Sequence, residues 1–174
     1  MARNNNLSVS VSAGASHRMD WRSDRIGSAQ RGENPTVLGE LDSGYAVIGD
    51  PQFLPGYCLL LNKDSTATAL SELKRADRIQ FLSDMDLLPM AVERACRAED
   101  GAFRRVNLEV LGNKDSYVHA HIFPRYEWEA DDMRIRPVWH YPPQRWSDSE
   151  TLLSSAHDVL RQRISDEIRR LADY

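Results

Sequence analysis

In the first half of the chain, apolar and polar residues follow short patterns that are typical of β-strands. The runs 36–38 and 45–48 are rich in β-branched and aromatic residues, and Asp-Ser-Gly at 42–44 predicts a hairpin turn between them. A loop containing prolines and glycines follows over 49–56, and the apolar run 57–61 predicts a buried strand. We therefore expect three strands before the first long helix.

The longest helical pattern covers residues 69–98, where apolar side chains recur at helical spacing. Pro89 lies inside this pattern and cannot continue the backbone hydrogen bonds, so we expect a kink or a break there. A short helix is expected around 24–30. The residues from 149 to 172 form an amphipathic pattern that predicts a final helix.

The most informative strand is predicted over residues 117–124, after another strand over 106–111. His119 and His121 lie two residues apart, which places both imidazole rings on one face of a strand. The opposite face consists of small and apolar residues suited to a core: Val118, Ala120 and Ile122. Pro124 has no backbone N–H to donate, so we expect it to end the strand.

Two histidines on one strand face have three interpretations. Both rings can be hydrogen-bonded structural residues, and the dipeptide pattern alone favours this one. They can be two metal ligands, because imidazoles on one face suit zinc or iron. Finally, one ring can act as a nucleophile or base while the other orients an anionic substrate.

Composition narrows the classes of protein. With 174 residues, 41% hydrophobic and 28% charged, the chain is expected to form one soluble domain. A net charge of −4 argues against a general nucleic-acid-binding surface, and no apolar stretch is long enough to span a membrane. We expect a disordered tail over 1–16 without a signal peptide, a single domain over 17–174, and a cytoplasmic location. Cys58 and Cys96 are expected to be small buried hydrophobes, and without a Cys-x-x-Cys pair a structural zinc site has little support.

Residues 117–125, Tyr-Val-His-Ala-His-Ile-Phe-Pro-Arg, resemble the motif of the histidine triad superfamily of nucleotide hydrolases and transferases. In that motif three histidines alternate with apolar residues, and the segment matches the second and third histidines and the Pro-Arg ending. The acidic turn, Pro-Gly turn and apolar strand over 50–63 are also similar, so the resemblance covers roughly 35–125. The residues of these segments are similar to those of a bacterial branch described as diadenosine tetraphosphate hydrolase-like. The resemblance implies an α+β fold: an antiparallel β-sheet, a central packed helix, and a C-terminal helical extension over about 127–174.

The resemblance also implies an activity and a set of site residues. The expected reaction is hydrolysis or nucleotidyl transfer at the α-phosphate of a dinucleoside polyphosphate or a nucleoside phosphoramidate. It passes through a covalent nucleotidyl-histidine intermediate on His119, with no cofactor or metal. Residues expected to bind phosphate are His121, Asn113, Ser116 and Asn107. Residues expected to bind the nucleoside are Asp50, Ile48 and Phe53. A homodimer is also implied.

The motif departs from the family at two tyrosines. Tyr117 stands where the first histidine belongs, and a phenol with a reference pKa of about 10 supplies no cation at neutral pH. We expect Tyr117 to modulate activity. Tyr57 follows the Pro-Gly turn, where relatives often carry a histidine. These departures leave open a catalytically weak nucleotide-binding or regulatory protein, and a two-histidine metalloprotein is a further alternative.

Overall fold

The computed structural model describes residues 20–172; the tail expected over 1–16 lies outside the described residues. Five antiparallel strands form one sheet in the order β1-β2-β3-β5-β4. The strands are β1 Val37–Glu40, β2 Gly44–Ile48, β3 Cys58–Asn62, β4 Phe103–Val110 and β5 His119–Tyr126. The helices are α1 Arg25–Gln30, α2 Arg75–Glu99, α3 Asp131–Arg134 and α4 Asp158–Ala172. This arrangement confirms the expected α+β fold.

The main hydrophobic core lies between one face of the sheet and α2, with α4 packed against the outer part of this layer. On β5 this face carries Ala120 and Ile122, as the alternation predicts. The other core residues from the sheet and α2 are fully buried: Ala46, Cys58, Leu60, Phe81, Leu88 and Val92. The two cysteines are buried free thiols, as expected, and burial raises the pKa of Cys96 to about 12.

α2 corrects the part of the prediction at Pro89 that concerns a break. The helix is continuous from Arg75 to Glu99 with the proline inside it, and the break expected there does not occur. A proline costs a helix interior about 3 kcal/mol. Leu88 and Val92 flank it and are both 0% exposed, and burying such side chains contributes about 1.5–3 kcal/mol each. Core packing on both sides of the proline therefore offsets the lost hydrogen bond.

The expectation that Pro124 ends the histidine strand is also wrong, since β5 continues to Tyr126. The backbone N–H of Asn62 donates to Val118 O, so alternate residues of β5 starting at 118 direct their N–H groups toward β3. By this alternation the nitrogen of Pro124 also points toward β3, but the pairing of β3 ends where Cys58 meets Ile122. The missing donor therefore removes no bond from the sheet.

Residues 127–157 wrap over the sheet in short helical turns. A buried ion pair anchors the beginning of this wrap: Arg125 and Glu129 lie 2.8 Å apart, with side chains 3% and 0% exposed. The guanidinium also donates to two backbone carbonyls of the wrap, Arg136 O at 2.8 Å and Met133 O at 2.7 Å. Arg125 is thus a structural residue, because each of its three guanidinium nitrogens has a partner in the wrap.

The final helix starts at Asp158 rather than near 149. The preceding residues pair with the loop before β3: Gln52 donates to Thr151 O, and Leu153 donates to Asp50 O, both at 2.7 Å. Backbone groups used in these bonds are not available to a helix. None of the helices between residues 20 and 172 is long and apolar enough to cross a membrane.

Candidate active site

The two histidines lie on the sheet face opposite α2. His119 and His121 belong to the same row of β5, and their ring centroids are 4.8 Å apart. Both residues are buried, at 4% and 7% exposure. The alternation of the strand thus brings together the pair that the sequence predicts.

His119 is held by its own strand. Its Nδ1 lies 2.8 Å from the backbone carbonyl of Tyr117. A carbonyl oxygen only accepts hydrogen bonds, so Nδ1 carries the proton of the neutral ring. The other nitrogen, Nε2, then keeps a free lone pair, which is the form an imidazole nucleophile needs.

His121 has the opposite arrangement. Its Nδ1 lies 2.7 Å from the hydroxyl of Tyr57, which is itself buried. Burial raises the pKa of Tyr57, whereas burial and the neighbouring His119 lower the pKa of His121 to about 3. Both groups are therefore neutral. The buried Tyr57 hydroxyl has no other hydrogen-bond partner among residues 20–172, so its proton is used only when it donates to Nδ1, and the proton of His121 then resides on Nε2. Nε2 is therefore a hydrogen-bond donor in His121 and an acceptor in His119.

Tyr57 is positioned by the loop between β2 and β3. Buried Gln52 donates to the carbonyls of Gly49 and Tyr57 at 2.8 and 3.0 Å and accepts from Gly56 N–H at 2.9 Å. A Cβ on Gly49 would lie 2.2 Å from the Tyr57 ring, so only glycine allows this approach. Gly56 has a φ of +88° and packs against Cys96, which also requires glycine. The Gln-Phe-Leu-Pro-Gly-Tyr segment therefore serves to place one hydroxyl.

A cavity of about 980 Å³ opens over this face. Tyr117 and His121 both line it, whereas His119, which lies between them in the chain, is buried and is not among the lining residues. Aromatic side chains from the segment before α1 and from the wrap form much of its wall: Trp21, Trp139, Tyr141 and Trp146. Trp139 contacts the His121 ring edge to face at 5.1 Å, so the wrap covers the histidines rather than only joining the sheet to α4.

Of the residues expected to bind the nucleoside, only one lines the cavity. Asp50 lines the cavity and forms a 2.8 Å ion pair with Arg25 of α1. The expectation for Ile48 is wrong. Its side chain belongs to the core on the α2 face, whereas the side chain of the preceding residue, Val47, points to the other face and lines the cavity. Phe53 does not line the cavity and packs behind it against Tyr141 and Trp146.

The residues expected to bind phosphate are also dispersed. Asn113 and Ser116 are exposed in the loop before β5, and neither lines the cavity, whereas Lys114 and Asp115 of the same loop do. Asn107 is opposite Phe123 in the register of β4 and β5 and lines a separate cleft. Tyr117 is half-buried beside His119, with ring centroids 5.2 Å apart, and burial raises its pKa to about 12. Its phenol is therefore a weaker acid here than in water.

The chemistry of the donor set gives no support to the metalloprotein interpretation. Within residues 20–172, no group of three or more histidine, cysteine, aspartate or glutamate side chains is arranged to hold a metal ion. Zinc sites in proteins use at least three such ligands. The hydrogen bonds of His119 and His121 instead give each ring a defined tautomer.

Comparisons with known proteins identify the fold. No family model and no curated protein sequence matches the chain. Among solved structures, it is similar to a histidine triad protein from Sinorhizobium meliloti, with 19% identity over 86% of this chain and 95% of that one and a TM-score of 0.63. The chain has the fold of histidine triad proteins. A histidine triad protein from Marinobacter aquaeolei (17% identity, 78% and 89% coverage) has a TM-score of 0.61. A hypothetical histidine triad nucleotide-binding protein from Sulfolobus tokodaii (16%, 84% and 91%) has a TM-score of 0.59.

These likenesses extend over nearly the full length of the solved histidine triad proteins, and with identities below 20% they show the fold alone. Sequence reasoning missed the partner of His121, because Tyr57 precedes it by 64 residues. The resemblance singles out Tyr57 but not its contact, and the signal for the contact is that Tyr57 and the leucines at 59 and 61 alternate in the same way as the histidines. That signal predicts a shared face only once β3 is known to pair with β5.

Proposed function

We propose that this chain is a nucleotide hydrolase or nucleotidyl transferase that cleaves at an α-phosphate through His119. The observation that carries the proposal is the 2.8 Å bond from His119 Nδ1 to Tyr117 O, which leaves a lone pair on Nε2 of a residue whose neighbours Tyr117 and His121 line the cavity. Covalent catalysis by such a nitrogen divides one difficult phosphoryl transfer into two easier steps.

In the first step, Nε2 of His119 attacks the α-phosphorus. A P–N bond forms, the P–O or P–N bond to the leaving group breaks, and the leaving group takes a proton from water or from a neighbouring acid. In the second step, water or another hydroxyl acceptor attacks phosphorus and releases a proton to solvent, the P–N bond to His119 breaks, and Nε2 recovers its lone pair. His121 donates from Nε2–H to a phosphate oxygen whose negative charge grows in each transition state.

The cavity supports a nucleotide ligand for this reaction. Its volume of about 980 Å³ lies at the upper end of the range of about 300–1,000 Å³ for ligand sites. The aromatic walls suit a base, and Asp50 is available to accept hydrogen bonds from a ribose. The proposed substrates are dinucleoside polyphosphates, as in the diadenosine tetraphosphate hydrolase-like branch, or nucleoside phosphoramidates.

The test is His119→Ala with a matched control, His140→Ala, which changes an exposed histidine of the wrap. We expect His119→Ala to lower kcat by about 10⁴-fold without changing the fold, and His140→Ala to stay within twofold. Retention of activity within tenfold of the parent by His119→Ala would refute the nucleophile assignment. Alkaline-quench trapping of a nucleotide on the wild-type chain, absent from His119→Ala, distinguishes an enzyme from a regulatory protein that only binds nucleotide, because the P–N bond to histidine is labile in acid and stable in alkali.

We also propose that the chain is cytoplasmic and forms a homodimer. β4 is at the edge of the sheet, and the apolar side chains of Ile79, Leu82 and Leu108 are 45–49% exposed on α2 and β4. Unpaired strand edges and grouped apolar side chains favour association with a second copy. Sedimentation equilibrium at micromolar concentration measures the mass directly.

A further inference from the structure

A second cleft lies on the histidine face of the sheet, on the far side of Trp139 from the main cavity. Its volume is about 340 Å³, and five arginines line it: Arg104, Arg105, Arg125, Arg134 and Arg136. The proposed reaction at His119 uses none of them. Such a concentration of guanidinium groups is unusual in a chain whose net charge is −4.

Three of the five guanidinium groups are neutralised by carboxylates. Arg125 is paired with buried Glu129, and Arg104 with Glu127 at 2.9 Å. Arg134 bonds Asp131 at 2.6 Å and lies 3.6 Å from Glu127. These three arginines therefore build the wall of the cleft and bring no free charge.

Arg105 and Arg136 are different. Neither side chain forms an ion pair or a hydrogen bond with any residue in the described part of the chain. Arg105 is directly opposite Arg125 in the register of β4 and β5, so it rises from the same face. Arg136 is held by its backbone, whose carbonyl accepts from Arg125. The cleft thus holds two exposed arginines without a carboxylate partner in residues 20–172, and its lining also includes the carboxylate of Glu109.

The remaining polar lining connects the cleft to the histidines. On β4, Asn107 lies between Arg105 and Glu109 on the same face, and Glu109 is opposite His121 in the register. The carboxylate of Glu109 accepts from the indole N–H of Trp139, so Trp139 and Glu109 form the boundary between the cavities. On β5, Arg125 lies four positions after His121 and six positions after His119, which corresponds to about 13 Å and about 20 Å along the strand.

We propose that this cleft is a phosphate subsite that binds the distal phosphates of the leaving group during cleavage at His119. Arginine is well suited to this ligand because its planar guanidinium makes bidentate hydrogen bonds to phosphate oxygens. The proposal rests on the proposed function and narrows its substrate class to nucleotides with an extended, phosphorylated leaving group.

The first experiment measures binding without turnover. Inorganic tripolyphosphate is titrated calorimetrically into the wild-type chain and into the double variant Arg105→Gln/Arg136→Gln. A control, Lys74→Gln/Arg75→Gln, removes the same two charges from exposed positions at the start of α2. We expect the cleft variant to bind at least tenfold more weakly and the control to stay within twofold. Equal binding by both variants would overturn the subsite.

The second experiment tests whether the ligand is part of the substrate. KM is measured for a dinucleoside tetraphosphate and for the p-nitrophenyl ester of AMP, whose leaving group carries no phosphate. We expect the ratio of the two KM values to rise at least tenfold in the cleft variant and not in the control. An unchanged ratio with weakened tripolyphosphate binding would assign the cleft to a free polyphosphate and overturn the substrate assignment. Absence of turnover of both substrates by the wild-type chain would refute the proposed function, while the titration would still test the cleft.

Discussion

The bond between Tyr57 and His121 gives a prediction that isolates a single atom. Tyr57→Phe removes one hydroxyl and leaves the ring, which stacks on Phe123 with centroids 4.5 Å apart and lies against Gly49. The ring packing that positions the loop is therefore retained. The change is confined to the donor that His121 Nδ1 loses, 2.7 Å away.

The expected magnitude follows from the burial of that nitrogen. His121 is 7% exposed, and a buried acceptor left without its donor costs about 1–3 kcal/mol of stability. Without the phenol, the neutral ring also exchanges its proton between Nδ1 and Nε2, and the Nδ1–H form presents a lone pair to phosphate. We expect kcat/KM to fall by about 10- to 100-fold, which corresponds to about 1.4–2.7 kcal/mol of transition-state stabilisation.

Two measurements check this prediction. The ¹⁵N shifts of the imidazole ring report the tautomer directly, and we expect His121 to change from a protonated Nε2 to a mixture. The control is Tyr126→Phe, which removes another buried hydroxyl, bonded to Pro55 O, that does not line the cavity. It should lower stability without altering His121. Unchanged ring shifts and kcat/KM within twofold in Tyr57→Phe would refute the reasoning.

Three further predictions follow from the same contacts. The pKa of His121 is lowered to about 3, against about 6.5 in the unfolded chain, so the unfolded state binds more protons between these values. Between pH 7 and pH 5 the unfolding free energy should therefore fall by about 2 kcal/mol more in the wild type than in His121→Asn, measured by urea denaturation. Glu129→Ala leaves Arg125 buried without its carboxylate and should cost about 3–5 kcal/mol, of which Arg125→Met in the same chain restores a part. Tyr117→His should raise kcat/KM for phosphoramidates more than for polyphosphates, because an imidazolium protonates a departing amine better than a phenol whose pKa is about 12; equal changes would refute this.

Local pattern was sufficient to predict the sheet faces. A strand has a period of two, so the positions of His119 and His121 opposite Ala120 and Ile122 depend on nothing beyond neighbouring residues. The hairpin at 42–44 and the helix 75–99 follow from similarly local signals. Ile48 shows how sensitive such assignments are, because a shift of one residue moves a side chain from the cavity to the core.

Tertiary context decided the features that pattern did not predict. Pro89 is tolerated because the core holds the helix on both sides, and Pro124 because β3 ends before it. The wrap residues before Asp158 pair with the loop at 50–52 instead of extending α4. Each of these outcomes depends on a partner more than 20 residues away in the chain, which no window of sequence contains.

The same distinction explains why the motif alone left three interpretations of the histidines. The two side chains are chemically identical and equivalent in the strand pattern, yet a carbonyl accepts from Nδ1 of His119 and a phenol donates to Nδ1 of His121. The two contacts fix opposite tautomers, so one Nε2 is an acceptor with a lone pair and the other is a donor. A nucleophile and a charge-stabilising donor are the pair that the proposed reaction at His119 uses. The difference arises from one tyrosine 64 residues upstream, and for that reason the catalytic interpretation depends on Tyr57 as much as on the histidines.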